Sequence, residues 1–246
     1  RQEIIRQLGK LRDKKFESFL VDAFISAQNE VKFWVDIQDY FIFKSLNDLI
    51  PKFSIKMDFK EIRSITEIIS NIVDYKSEFT LRHSKGLSEK ALLMSEFYKF
   101  DLDTKYQLEI AADLHDIGKL AISNNILDKN GKLEPFEFLE IKSHAYLTRK
   151  ALENICGFEK ITEWAANHHE KLNGRGYPLG KTDDELDFCS RILGCLDIYQ
   201  ALTEERPYRA SLSHEKSISI MKSMSENYEI DSNIVDSIDK VFCLSI

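Results

Sequence analysis

The sequence is poor in the residues that interrupt regular structure. Its 246 residues include only nine glycines and four prolines. Folds built from many short strands need frequent turns, and glycine and proline are the main turn residues. This scarcity argues against a β-sandwich or a β-barrel and favours long helices.

Cysteines and long apolar runs are also scarce. The four cysteines include no Cys-x-x-Cys pair, so we expect reduced thiols and no disulfide framework. No run approaches the ~18 apolar residues of a membrane span, and we expect a cytoplasmic location. The net charge of −7 argues against a protein that wraps duplex nucleic acid, which needs a basic surface. A small anionic ligand held by a few local cations remains compatible with it.

Apolar residues recur every three or four positions in several segments, as at Ile62, Ile65 and Ile69. No alternating run of strand length accompanies them, so we predict an all-α fold. We expect Asn130-Gly131 to form a tight turn and Pro135 to lie in the first turn of the next helix. The predicted helices cover 2–28, 30–48, 58–75, 80–99, 104–117, 136–155, 158–169, 189–203, 214–227 and 231–242.

Five of the six histidines cluster between His83 and His169, and several have a distinctive neighbour. Imidazole is a good ligand for Zn, Fe, Ni or Cu, and a mixture of imidazole and carboxylate also suits Mn or Fe. The carboxylate of Asp116, which follows a histidine directly, has two oxygens and could bridge two cations. The sequence therefore predicts a metal centre. Its candidate ligands are His83, His115, Asp116, His144, His168, His169 and Asp197.

Several cationic or loop residues lie near these ligands in the sequence. Lys119 follows His115 by four residues, which on a continuous helix places both on one face, and its ammonium could hold a phosphate oxygen. Arg206 and Arg209 offer guanidinium groups that match phosphates and stack on bases. The Gly-rich loop 173–180 follows the adjacent His168 and His169. We predict the sixth histidine, His214, at a helix start on the surface.

Several catalytic signatures are missing from the sequence. It contains no GxxxxGK, GxGxxG, HExxH or GxSxG motif. Kinases, P-loop enzymes, dinucleotide-dependent enzymes, zincins and serine hydrolases rely on these motifs. These classes therefore lose their main support.

Taken together, these motifs resemble the HD-GYP subfamily of HD-type metal-dependent phosphohydrolases, over residues 76–243. The matching segments are Thr80-Leu81-Arg82-His83-Ser84, His115-Asp116-Ile117-Gly118-Lys119, His144, His168-His169-Glu170 with Gly176-Tyr177-Pro178, and Asp197 ahead of Arg206-Pro207-Tyr208-Arg209. The resemblance implies an HD-type helical bundle. It also implies hydrolysis of a cyclic dinucleotide, chiefly cyclic di-GMP, to linear pGpG or GMP by a hydroxide between two metal ions.

The resemblance also implies roles for individual residues. One metal ion would be held by His83, His115, Asp116 and Asp197, and the other by Asp116, His144, His168 and His169. The residues facing the phosphates and bases would be Lys119, Tyr177, Arg206 and Arg209, with Asp116 and Lys119 as the catalytic residues. Fe or Mn would be the first candidates for the two divalent ions, and Ni, Co or Zn are also compatible.

The sequence departs from the family pattern at four positions. Phe79 stands where some members carry a glutamate that helps to bind a third metal, so we predict two ions. Gly86 replaces a usual arginine, Ala145 a common proline and Gln200 a frequent acidic residue. None of these changes removes a predicted ligand, but each bears on metal count, turnover or base preference.

Residues 1–75 carry no ligand cluster, and we predict that they form a helical segment ahead of an HD-GYP domain at 76–246. Their amphipathic spacing and aromatic residues suit packing, dimerisation or regulation. Because the chain begins with Arg1 and family members are often fused to sensory modules, we expect a longer natural chain. Two alternative functions remain open. The domain could hydrolyse another nucleotide, such as cyclic GMP–AMP, or it could be a sensor or protein-interaction module without cleavage.

Overall fold

The computed structural model describes residues 1–38, 40–49, 55–76, 83–129, 131–205 and 210–243. This part of the chain contains helices and no strand, which confirms the predicted all-α class. Short 3₁₀-helices occur at Ile117–Ala121 and Asp183–Glu185. The α-helices are α1 (Gln2–Leu11), α2 (Ser18–Ala27), α3 (Val31–Asp36), α4 (Ile42–Leu49), α5 (Phe59–Tyr75), α6 (His83–Phe97), α7 (Leu102–Leu114), α8 (Asn124–Leu127), α9 (Pro135–Leu152), α10 (Glu159–Ala166), α11 (Phe188–Thr203), α12 (His214–Glu226) and α13 (Ser232–Phe242).

The chain divides into two compact units, residues 1–56 and 57–246. These units describe how the chain packs, and their boundary differs from the predicted functional division after residue 75. Helix α5 belongs to the second unit because it packs against α7, where Arg63 forms an ion pair with Asp113 at 2.8 Å. The functional division into 1–75 and 76–246 stays a prediction.

The first unit contains shorter helices than the sequence predicted. The helix expected over 2–28 is broken between α1 and α2, where Asp13 adopts a left-handed backbone with φ +55°. The helix expected over 30–48 is likewise divided into α3 and α4. The rings of Phe24, Phe33 and Trp34 pack edge to face, with centroids 5.4–6.4 Å apart. Local aromatic packing therefore holds α2 and α3 together.

The core of the second unit surrounds α7, which packs against α5, α6 and α10. Fully buried residues such as Leu87, Leu108, Ile161 and Leu193 fill this core. Each buried side chain of this kind stabilises the fold by about 1.5–3 kcal/mol. The carboxyl end of α7, which leads into His115, is therefore fixed by its surroundings.

A side-chain cap sets the start of α11, the helix that carries Asp197. The Asp187 carboxylate accepts a hydrogen bond from the Ser190 amide at 2.7 Å and thus begins α11. The same carboxylate accepts a hydrogen bond from the Trp164 indole at 2.6 Å, which ties α10 to α11. Pro135 opens α9, as predicted. Across the described residues, none of the helices combines the length and apolar character needed to cross a bilayer.

Candidate metal centre

The seven predicted ligands come together in the second unit. They form three overlapping groups, in each of which the ligand atoms lie within 4.8 Å of one another. We call His83, His115 and Asp197 the carboxylate half and His144, His168 and His169 the imidazole half. The third group contains His115, Asp116 and His168 and links the two halves.

The His115-Asp116 pair lies at the end of a helix and not within one. Helix α7 ends at Leu114, three residues earlier than predicted, and a 3₁₀-helix begins after Asp116. This 3₁₀-helix lies directly on α9, because a Cβ on Gly118 would lie 2.0 Å from the His144 carbonyl oxygen. Thr148 on α9 also donates a hydrogen bond to the His115 carbonyl at 2.8 Å. Backbone packing therefore brings the two histidines together.

Three histidines, His115, His144 and His168, make the same type of hydrogen bond to the backbone. In each, Nδ1 donates a hydrogen bond to the backbone carbonyl three residues earlier. The acceptors are Ala112 at 2.7 Å, Ile141 at 2.6 Å and Ala165 at 2.6 Å. Because a carbonyl can only accept, the proton of each neutral ring is on Nδ1 and the lone pair is on Nε2. Hydrogen bonds of this type orient histidines that bind metals.

The Nε2 atoms of the imidazole half fit a cation between them. His144 Nε2 lies 3.3 Å from His168 Nε2, although both atoms carry lone pairs in the neutral rings. Asp116 Oδ1 lies 3.3 Å from His144 Nε2, and it is buried without a hydrogen-bond partner. A buried acceptor without a partner is unfavourable. A divalent ion at this point would satisfy all three atoms.

In the carboxylate half, one imidazole lies between two acids. His83 Nε2 is 2.9 Å from Asp197 Oδ1, and His83 Nδ1 is 2.9 Å from Glu204 Oε2. The neighbouring His115 Nε2 lies 3.2 Å from Asp116 Oδ2. The two oxygens of Asp116 therefore face different halves, as expected of a carboxylate between two ions.

Burial keeps the imidazole half neutral. It lowers the pKa of His168 well below its usual range, lowers that of His169 to about 4, and lowers that of His144 as well. Neutral imidazole is the form that binds metals. His169 differs from the other two, because its Nδ1 faces Asp197 Oδ2 at 3.8 Å and its side chain is 29% exposed.

Charge decides the protonation in the carboxylate half. Burial alone would lower the pKa of His83, but the hydrogen bonds to Asp197 and Glu204 outweigh burial and raise this pKa to about 9. Burial alone would raise the pKa of Asp116, but His115 and Lys119 outweigh it and hold this pKa well below its usual range. The central carboxylate is therefore ionised, which is the form that binds a cation.

Two of the residues predicted to face a substrate lie against this centre. Lys119 Nζ lies 2.5 Å from Asp116 Oδ2. Lys119 belongs to the 3₁₀-helix, so the continuous helical face predicted for it with His115 is wrong. The Tyr177 ring packs on the His169 ring, with the centroids 4.7 Å apart. Lys142 Nζ lies 5.0 Å from the Tyr177 centroid, a contact that the sequence did not predict.

Comparisons with known proteins place the chain in a family. The family described as HD domain matches residues 67–234, more than half of the chain. The chain belongs to the HD domain family. Membership implies divalent-metal binding, and the three ligand groups offer donors for it. The family predicted from the sequence is confirmed.

Curated relatives of this HD domain protein are phosphodiesterases. The 3′3′-cGAMP-specific phosphodiesterase 1 of Vibrio cholerae is 34% identical over 240 residues, which cover 97% of this chain and 56% of the relative. The cyclic di-GMP phosphodiesterase of Thermotoga maritima is 29% identical over 163 residues, which cover 65% of this chain and 44% of the relative. The chain spans about half the length of the curated relatives it matches.

A solved structure supports the fold of the HD domain protein. A crystal structure of a cyclic GMP-AMP specific phosphodiesterase from Vibrio cholerae matches with a TM-score of 0.63 and 27% identity. The match covers 99% of this chain and 56% of that chain. The predicted HD-type helical bundle is confirmed.

The glycine-rich loop of the HD domain is folded back onto the two adjacent histidines. The Tyr177 amide donates a hydrogen bond to the His169 carbonyl at 3.1 Å. The buried Glu170 carboxylate accepts hydrogen bonds from the amides of Leu179 at 2.7 Å and Lys181 at 3.0 Å. A Cβ on Gly176 would lie within 2.6 Å of the Glu170 backbone. The sequence indicates Glu170 only as part of a motif and does not predict its role in closing this loop.

Two departures from the family pattern touch each other in this HD domain. A Cβ on Gly86 would lie 2.4 Å from Gln200 Nε2, so the missing side chain at 86 leaves room for this amide. Gln200 Oε1 in turn accepts a hydrogen bond from Lys90 Nζ at 2.6 Å. The two changes are therefore spatially coupled. Ala145, the third departure, is buried in α9.

His214 does begin a helix, but its predicted surface position is wrong. It is only 6% exposed, because α11 and α13 pack against the start of α12. Its Nδ1 lies 2.9 Å from the Tyr199 hydroxyl, and its Nε2 lies 3.0 Å from Asp239 Oδ1. These polar partners explain why a histidine is tolerated there.

Some predicted features lie outside the described residues of the HD domain protein. These are Arg206, Arg209, Phe79 and Asn130. The roles predicted for the two arginines, the tight turn at Asn130 and the consequence of Phe79 for a third metal therefore stay predictions.

Proposed function

We propose that this chain is a metal-dependent phosphodiesterase that hydrolyses a cyclic dinucleotide. The observation that carries the proposal is the convergence of lone pairs on one buried point, at Asp116 Oδ1 and the Nε2 atoms of His144 and His168. Relatives named as phosphodiesterases of cyclic dinucleotides support the substrate class. The complete set of seven ligands favours cleavage over simple sensing.

We assign two divalent ions to the centre, one in each half, with Asp116 between them. The mixture of imidazole and carboxylate suits Fe or Mn first, and Ni, Co or Zn are also compatible. Ions bound at such a site polarise a phosphoryl oxygen and make water more acidic.

Lys119 is the residue proposed to meet the charge that develops on the phosphoryl oxygens. Its ammonium is held at 2.5 Å from Asp116, beside the place where the ions would lie. A preorganised cation at a developing negative charge lowers the barrier without needing to move during the reaction. Asp116 therefore has a second role, which is to position Lys119.

The surface formed by Tyr177, Lys142 and Phe138 is proposed to position the dinucleotide. Tyr177 offers a ring for a base, and Lys142 lies between the rings of Tyr177 and Phe138, at 5.0 and 4.7 Å from their centroids. An aromatic surface with an adjacent cation suits a ligand made of bases and phosphates. Arg206 and Arg209 are proposed, from the sequence, to bind phosphates and bases.

The relatives favour 3′3′-cGAMP as the first substrate to assay. Two 3′3′-cGAMP-specific relatives match 97% and 90% of this chain and a third matches 60%, whereas the cyclic di-GMP phosphodiesterase of Thermotoga maritima matches 65%. We therefore propose 3′3′-cGAMP and cyclic di-GMP as the two candidates, the first supported over a longer part of the chain. The cytoplasmic location and the packing, dimerisation or regulatory role of residues 1–75 stay predictions.

The test is to load the purified chain with Mn²⁺ or Fe²⁺ and to incubate it with 3′3′-cGAMP, cyclic di-GMP and cyclic di-AMP. Chromatography should show a linear dinucleotide or mononucleotides from at least one of the first two. Metal-stripped protein should give no product. Binding of a cyclic dinucleotide without product, by protein that carries two ions, would contradict hydrolysis and support the sensor. Absence of both binding and hydrolysis would overturn the substrate class.

A further inference from the structure

We propose that Glu204 is a positioning residue for the metal centre, which acts by fixing the orientation and tautomer of His83. The inference rests on the proposed function, because it assumes that His83 binds an ion. Neither the sequence motifs nor the comparisons assign a role to this carboxylate. It lies seven residues after Asp197, which is two helical turns.

His83 Nδ1 has a different kind of acceptor from the Nδ1 atoms of three other ligands. His115, His144 and His168 each donate Nδ1–H to a carbonyl three residues earlier in the chain. For His83, the acceptor is Glu204 Oε2, which lies 2.9 Å from Nδ1. The Nδ1–H group of His83 thus finds its acceptor at the end of another helix, α11.

Two acidic residues in the last two turns of α11 and directly after it contact the His83 ring. Asp197 lies at Nε2 and Glu204 at Nδ1, each at 2.9 Å. When Nδ1–H donates to Glu204, the lone pair of a neutral ring points from Nε2 toward Asp197 Oδ1. Two acceptor atoms then face each other, and a cation bound by both resolves the contact. Glu204 therefore selects the tautomer that the metal centre requires.

Neighbouring polar groups leave this hydrogen bond in place. Lys90, a nearby cation on α6, donates its hydrogen bond to Gln200 Oε1 at 2.6 Å. Gln200 occupies the space beside Gly86. The Glu204 side chain is only 14% exposed, so water competes little for its oxygens.

A carboxylate at Nδ1 differs from a carbonyl in its charge. Hydrogen bonds to a charged acceptor are roughly twice as strong as neutral ones. A carboxylate also raises the basicity of the imidazole as a ligand, and loss of such a partner typically lowers metal affinity ~10–100-fold. We expect one ion, the one in the carboxylate half, to depend on Glu204.

The test is a Mn²⁺ titration of chelator-stripped protein, with free Mn²⁺ counted by electron paramagnetic resonance. Glu204→Ala should weaken one of two Mn²⁺ sites by ~10–100-fold and leave the other unchanged. Glu204→Gln keeps an acceptor oxygen without the charge and should weaken the same site only a few-fold. Glu205→Ala, at the exposed neighbouring position, is the matched control and should bind like the unaltered chain.

A spectroscopic measurement separates positioning from general structure. In Zn²⁺-loaded protein labelled with ¹⁵N-histidine, His83 should be protonated at Nδ1 in the unaltered chain and in Glu204→Gln. In Glu204→Ala the ring should lose this preference. If Glu204→Ala does not fold, unchanged Mn²⁺ affinity in Glu204→Gln would overturn the proposal.

Two failures can be told apart. If both sites of Glu204→Ala bind Mn²⁺ like the unaltered chain, the role of Glu204 is overturned and the proposed function is untouched. If the unaltered chain binds no Mn²⁺, Fe²⁺ or Zn²⁺, the proposed metal-dependent function itself is overturned.

Discussion

The two halves of the metal centre share one way of orienting histidines, and the carboxylate half adds a second. In the imidazole half, His144 and His168 are each oriented by a carbonyl of their own chain segment, and so is His115 in the carboxylate half. In the carboxylate half, His83 is oriented by Glu204 from another helix. Of these four histidines, His83 is thus the one with a charged acceptor at Nδ1.

The halves also differ in charge. Burial lowers the pKa of the histidines in the imidazole half, whereas two acids raise the pKa of His83. With more negative charge around it, the carboxylate half should bind its ion more tightly. The contrast between a neutral half and a charged half can be tested by three kinds of substitution. They are expected to remove both ions, one ion or neither ion.

The largest effect is expected from Asp116→Ala, which removes the carboxylate shared by both halves. Both ions should be lost, and kcat should fall on the order of 10⁴-fold, because each ion contributes several kcal/mol to catalysis. Elemental analysis and chromatographic assay of hydrolysis measure the two effects. Asp103→Ala, at an exposed position in the first turn of α7, should change neither. Near-native turnover in Asp116→Ala would refute the site.

Single-half variants come next. His144→Ala should leave one ion per chain in the carboxylate half, and His83→Ala should leave one in the imidazole half. Each should lose about 10³-fold in kcat, because one of two ions is missing. In Mn²⁺ titrations, the ion remaining in His144→Ala should dissociate less readily than the one in His83→Ala. The reverse order would contradict the contrast in charge.

Lys119→Ala should leave both halves occupied. It removes a cation but no ligand, so kcat should fall about 10²-fold while the metal content stays at two ions. Lys132→Ala, which changes an exposed lysine, is the control. An equal loss of metal and of activity would show that Lys119 supports the centre and does not act on the phosphate.

The smallest effect concerns the stability of metal-stripped protein, where the two halves should respond to pH with opposite signs. The pKa of His83 is raised from 6.5 to about 9, so its contribution is complete below pH 6.5 and is lost as the pH rises toward 9. The pKa of His169 is lowered to about 4, so stability falls as the pH drops from 6.5 toward 4. Urea unfolding across this range measures both trends. His83→Gln should flatten the pH dependence of the free energy of unfolding only on the alkaline side. An unchanged slope there would contradict the raised pKa assigned to His83.

The sequence predicted which side chains converge at this centre better than it predicted the residues that support them. His115-Asp116 and His168-His169 could be found because their residue types and spacing carry the chemistry. Glu204 could not, because a carboxylate near a helix end is common and its partner lies 121 residues away in the chain. Its distance of two turns from Asp197 was the available signal.

Predicted helix limits failed where long-range packing decides them. The amphipathic pattern continues through 104–117, yet α7 ends at Leu114 because the following 3₁₀-helix must lie on α9. The break between α1 and α2 depends on the left-handed Asp13, which no proline or glycine announces. His214 was misplaced because its partners Tyr199 and Asp239 come from two other helices.

The contact between Gly118 and the His144 carbonyl ties the spacing of the two halves to a position that binds nothing. Any side chain at position 118 would push α9 outward and move its ligand, His144, away from the other ligands. The placement of His144 relative to His115 and Asp116 is thus set by the packing of the main chain and not by the ligand side chains alone.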